Sequence, residues 1–227
     1  MVFVALGLGF IYWYDQTGQR PDPGFDSTVA HSTYPGDAGP RIAFDVAHHN
    51  WHTPTGRYRP LADLLRQDGF RVVELTSPFI ATPLESVQIL VIANAMGPDG
   101  HESRAAFTEA KETVVVTWVE QGGALLLIAD HAPFGFAAKS LAGRFGVTMY
   151  AAFARGDTNH AGWDNERLLF TRANGLLTAC PITDGGAPSE RVETVVTFTG
   201  QSLSVPSDIQ RDRFFVTLCD CEKVKRG

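Results

Sequence analysis

A chain of 227 residues with a net charge of −6 and no basic stripe is poorly suited to tracking a phosphate backbone, so nucleic acid is not an expected partner. A hydrophobic content of 44% supplies a substantial core, which excludes global disorder, and the length suits one large domain or one domain with extensions. Three cysteines, Cys180, Cys219 and Cys221, cannot build a disulfide framework, and the one-residue gap between the last two is unlike a paired-cysteine zinc knuckle.

Met1 to Tyr14 is apolar and uncharged, shorter than the roughly 20 residues of a comfortable membrane span and without the basic start of a signal peptide. It reads as a clipped leader or anchor, with a buried N-terminal element as the alternative. That reading favours a periplasmic or membrane-tethered protein over a cytoplasmic one. Residues 15–40, rich in Gly, Pro, Ser, Thr and Asp, read as a linker or surface loop. A globular α/β domain is expected over 41–205, followed by a divergent or truncated tail over 206–227.

Within the domain, Ile42 to Val46 is the first strand candidate and leads into AHHNWHTPTGRY. Leu61, Leu64 and Leu65 stand at helical spacing, and Asp68-Gly69 stops that helix. Arg71 to Leu75 and Val87 to Ala93 are the next strands. A helix over Ser103 to Gln121 follows, with Phe107, Ala110, Val114 and Trp118 as its apolar stripe. After Gly122-Gly123, the run Ala124 to Ile128 is apolar without alternation, the pattern of a strand buried on both faces at the centre of a parallel sheet. Ala137 to Phe145 is a short helix. Beyond Val147 the pattern weakens, with strands expected only at Leu168 to Phe170 and Arg191 to Thr199. The alternation predicts a doubly wound, three-layer α/β sandwich with a mostly parallel sheet.

The strand pattern, the block FTEAKETVVVTWVEQGGALLLIADHAPFG, and the segments NGLLTACPITDG and VVTFTGQSL resemble the glutamine-amidotransferase-like superfamily. The resemblance is to its non-amidotransferase branch, near ThuA-like and GldG-like domains, and covers about Arg41 to Leu203. It implies a flavodoxin-like sandwich. True amidotransferases carry a nucleophilic Cys on a sharp turn after the central strand, whereas the strand ends here offer Asn94 and Asp130.

Ligands of open α/β sheets bind beyond the carboxyl ends of the strands, so the polar residues that follow the strands are the site candidates. The densest group is DVAHHNWH, where Asp45, His48 and His52 are residue types that hold a divalent metal such as zinc and leave one position open. His49 in the same loop, with Asp130 and His131 after the Ala124 to Ile128 strand, are the acid–base candidates. Adjacent strand residues point to opposite faces, so Asp130 and His131 reach one ligand only if the chain turns there, and Asp130 has the alternative role of a helix cap. Asn94, Trp51 and Phe134 are the substrate-binding candidates. Asp157, His160 and Asp164 form a weaker group, read first as a solvated loop. Cys180 reads as structural, and neither a nucleophile elbow nor a phosphate loop is present. Two functions fit: a metal-assisted hydrolase of a small ester or phosphoester, or a non-catalytic module binding a sugar or peptide in the same crevice.

Overall fold

The computed structural model describes residues 20–79, 84–100, 104–156, 158–161, 167–197, 200–205 and 225–226. Met1 to Tyr14, Asp157, Asp164, Cys219 and Cys221 lie outside them. The protein has an α/β fold built on four parallel strands: β1 (Arg41–Asp45), β2 (Arg71–Leu75), β3 (Ile89–Ala93) and β4 (Ala124–Ile128). Their order is β2-β1-β3-β4, the spatial order that begins flavodoxin-like sheets.

Helices cover both faces, giving three layers. On one face α1 (Arg59–Gln67) packs Leu61 and Leu65 with Ile42 and Phe44 of β1 and Val91 and Ala93 of β3. Pro60 suits the first turn of α1, because a helix N-terminus leaves its early N–H groups unbonded and a proline loses nothing there. Gly69 ends it with a φ of 87°, and an added Cβ would collide with the Tyr34 carbonyl. That approach is tight because Thr33–Gly39 is strapped to the α1–β2 turn: Tyr34 N–H donates to Asp68 O and Gly39 N–H to Gly69 O.

On the other face α2 (Glu109–Glu120) and α3 (Phe134–Arg144) cover Ala43, Leu75, Leu90 and Ile92. Thr108 caps α2 by accepting from Lys111 N–H, which starts the helix later than the predicted Ser103. Its buried stripe is Glu112, Val115 and Trp118; Ala110 is exposed and Phe107 precedes the helix. The contact face is set by Trp118, whose indole N–H donates to Val87 O and whose ring lies against Gly123.

The segment Ala124–Ile128 is a strand with the predicted bounds, but it is neither central nor buried on both faces. Among the described residues it pairs with β3 alone and ends the four-stranded sheet, and Leu126 is 46% exposed. Leu125 and Leu127 pack into the α2–α3 face, whereas the cover supplied by α1 thins out toward β4. An unbroken apolar run reports hydrophobicity, not how many faces are covered, and β3 has the interior position instead.

Beyond β4 the strands are short and antiparallel: β5 (Thr148–Met149) with β9 (Leu203–Ser204), β6 (Ala154–Arg155) with β10 (Lys225–Arg226), and β7 (Leu169–Thr171) with β8 (Thr194–Val196). β7 and β8 enclose a small core of Leu168, Phe170, Leu176 and Leu177. Among the described residues no helix is long and apolar enough to cross a membrane.

Candidate functional site

The strand order reverses between β1 and β3, so the crevice outside their carboxyl ends is where this architecture places a ligand. Asn94 closes that end of β3. Its backbone is left-handed, with a φ of 48°, a conformation asparagine tolerates better than most residues. It is 1% exposed and joins three segments: its N–H donates to Ile128 O, its carbonyl accepts from Trp51 N–H, and its Oδ1 accepts from Asp130 N–H at 2.8 Å. The post-β1 loop and the post-β4 turn are thereby fixed to one residue.

Asp45 and His48 form a buried pair beside it. His48 Nδ1 lies 2.9 and 3.0 Å from the two Asp45 carboxylate oxygens, which assigns the proton to that nitrogen. The main-chain N–H of His48 donates to Asn50 Oδ1, and the His48 carbonyl accepts from Met96 N–H. The imidazole packs against Phe79 and Phe107 at 4.8 and 4.9 Å, with Nε2 shielded from solvent. Both phenylalanines belong to the core on the α2–α3 face.

His52 sits on the other side of the sheet edge. Its ring stacks on Tyr58 at 4.5 Å with the planes 7° apart, and Tyr58 belongs to the α1-face core. Burial lowers its pKa; Arg57 adds to the lowering and the Asp130 charge opposes it. Burial also raises the Tyr58 phenol, again with Asp130 contributing.

Asp130 and His131 are the accessible polar groups of the crevice, with side chains 23% and 24% exposed. Asp130 does not cap α3, whose N-cap is Pro133; its Oδ1 accepts from His131 N–H. This turn brings the two side chains to one side, with His131 Nε2 4.0 Å from Asp130 Oδ2. His131 Nδ1 donates to the Ala132 carbonyl, which leaves Nε2 with its lone pair in the neutral ring.

An aromatic rim surrounds them. The His131 ring stacks on Phe153 at 4.4 Å and lies 6.1 Å from Phe134, which in turn is 6.3 Å from Trp51. The Arg57 guanidinium covers the Trp51 ring at 4.2 Å. Gln201 supports the rim from beyond, donating through Nε2 to Ala129 O and filling the space a Cβ on Gly135 would need.

The structure therefore gathers Asp130, His131, Trp51, Phe134 and His52 around Asn94. It joins Asp45 to His48 but turns His52 away from both, toward Tyr58. Among the described residues no group of three or more His, Cys, Asp or Glu is arranged to hold a metal. The set Asp45, His48 and His52 does not fit a zinc ion, because two members face each other in the core and the third lies across the sheet edge. His49 is exposed, with a φ of 50°.

His160 lies far along the chain, bridging to Leu168 beside β7. Cys180 caps the four-residue helix α4 (Pro181–Asp184), and hydrogen bonding from Thr183 lowers its thiol pKa. Sequence reasoning missed Arg57, Tyr58 and Phe153. The first two follow the histidine cluster in GRY, and their aromatic and cationic character next to a strand-end loop was the available signal.

No protein-family model matches the chain, and no curated protein matches it. Among solved structures, the mmIFT52 N-terminal domain superposes with a TM-score of 0.57 at 18% sequence identity, over 74% of this chain and 69% of that one. At that identity the likeness concerns the fold alone.

Proposed function

We propose that the crevice at the carboxyl ends of β1, β3 and β4 binds a small polar ligand of the sugar class. The reading rests on one arrangement: a part-exposed carboxylate, Asp130, set within a rim of Trp51, His131, Phe134 and Phe153. Aromatic faces accept the apolar C–H face of a saturated ring, and a carboxylate accepts hydroxyl hydrogens, so the two together suit a hydroxylated ring with one apolar face. A panel of mono- and oligosaccharides screened by calorimetry tests this. Binding that Asp130→Asn weakens is the expected result, and no heat with any member contradicts it.

A hydrolase is the second reading, favoured by His131. Its Nε2 carries a lone pair 4.0 Å from Asp130 Oδ2, so the imidazole would take a proton from water attacking a small ester or phosphoester, with Asp130 stabilising the imidazolium. No metal is needed in that step. Turnover on an ester and phosphoester panel that His131→Ala lowers at least about 100-fold would favour it over simple binding. The resemblance to amidotransferases does not extend to glutaminase chemistry: the residue on the turn after the interior strand β3 is Asn94, which has no thiol. The leader reading of Met1 to Tyr14 adds a membrane tether to either function.

A further inference from the structure

The geometry points to β4 as a self-association strand through which two copies of this chain form one continuous sheet. Successive strand residues direct their main-chain groups to opposite sides. Ala124 N–H donates to Gln88 O and Ile128 O accepts from Asn94 N–H, so Ala124, Leu126 and Ile128 face β3. Leu125 and Leu127 consequently direct their N–H and C=O groups outward. Among the described residues no hydrogen bond reaches those four groups. The Ala129 carbonyl, the next outward acceptor, is taken by Gln201, which marks where the open edge ends.

An open edge is normally blunted by a charge, a proline or a bulge, because it is a template for another strand. β4 is ALLLI and has none of these. A strand returns donors and acceptors at this spacing, and a second copy of β4 is such a strand.

The sequence makes β4 its own complement. In an antiparallel pair with its two-fold axis at Leu126, Leu125 faces the partner's Leu127 and Leu127 the partner's Leu125. Both are hydrogen-bonded pairs, so all four outward groups on each copy are used. Leu126 then meets the partner's Leu126 in the closer, non-hydrogen-bonded position between them. Ala124 stands opposite the partner's Ile128, small against large, and no charge opposes a like charge within the strand. The exposed Leu126 side chain, at 46%, is covered by its symmetry mate.

Sedimentation velocity of the full chain over a range of concentrations tests this. The wild type should be a dimer that dissociates on dilution. Leu126→Lys and Leu126→Glu each place like charges on the axis and should be monomeric, with circular dichroism unchanged because the side chain is exposed. An equimolar mixture of the two should recover the dimer. Leu126→Cys should give a disulfide-linked dimer on mild oxidation, under conditions where the wild type gives none. A wild type that is monomeric throughout overturns the proposal. So does a dimer indifferent to Leu126→Lys, or a charge-reversed mixture that stays monomeric.

Discussion

Asn94 Oδ1 accepts the Asp130 main-chain N–H at 2.8 Å while the Asn94 carbonyl accepts the Trp51 N–H at 2.9 Å, so one left-handed residue holds both walls of the crevice. Asn94→Ala should destabilise the protein by about 1 to 3 kcal/mol for the buried donor it leaves unpaired. The left-handed backbone costs a residue with a Cβ about 1 to 2 kcal/mol, and alanine bears more of that cost than asparagine, which tolerates this conformation better. Asn94→Gly escapes that second cost and should be the milder change. Urea unfolding of both variants checks the order, and equal losses would show that the backbone conformation contributes nothing.

How much of this was legible in the sequence follows from what each signal reports. The bounds of β2 and β4, and the place of α1, came from hydrophobic runs and glycine stops, which are local. The position of β4 at an edge was not legible, because its apolar residues look the same whether one face or both are covered. At the site, strand-end topology named Asp130, His131, Trp51 and Asn94 as candidates, and Asn94 joins the segments that carry the other three. The spacing of Asp45, His48 and His52 was misleading. Three side chains on one loop diverge when the loop passes across the sheet edge, and each finds its own partner: Asp45 for His48, Tyr58 for His52. Phe153 lies on the strand-poor half of the chain, where no periodicity flagged it.

The Asp45–His48 pair is buried among phenylalanines, and removing one member strands the other. Asp45→Ala should lower stability by about 1 to 3 kcal/mol, the scale for leaving a buried donor without its acceptor. Asp45→Asn should cost less, because the amide retains an acceptor for His48 Nδ1. Guanidinium denaturation distinguishes them, and a near-neutral Asp45→Ala would contradict the pairing.

His52 contributes a pH dependence with a defined sign. Its folded pKa is lowered from 6.5, so below that value the unfolded chain binds the proton more readily. The stability from neutral His52 is complete above the unfolded pKa and is lost as pH falls through 6.5 toward the folded value. The thermal midpoint should therefore drop more in the wild type than in His52→Gln between about pH 7.5 and pH 5.5. Parallel melting curves for the two proteins would refute the burial of this ring.

If Met1 to Tyr14 serves targeting, as proposed above, removal of residues 1 to 20 should leave the thermal midpoint nearly unchanged. A loss beyond about 2 to 4 °C, equivalent to about 1 kcal/mol at this size, would show that the segment packs against the domain.

The central claim is that the walls joined by Asn94 enclose one ligand site. Its most direct measurement is an NMR titration of the indole N–H signals with the saccharide panel, Trp51 assigned through Trp51→Phe. The account predicts that a binding saccharide moves the Trp51 signal while that of Trp118, locked to Val87 O, stays in place. It also predicts that Asp130→Asn weakens the same titration at least about tenfold, near the 1.5 kcal/mol scale of a hydrogen bond to a charged group. A ligand that binds without moving Trp51, or with affinity indifferent to Asp130→Asn, would contradict the claim.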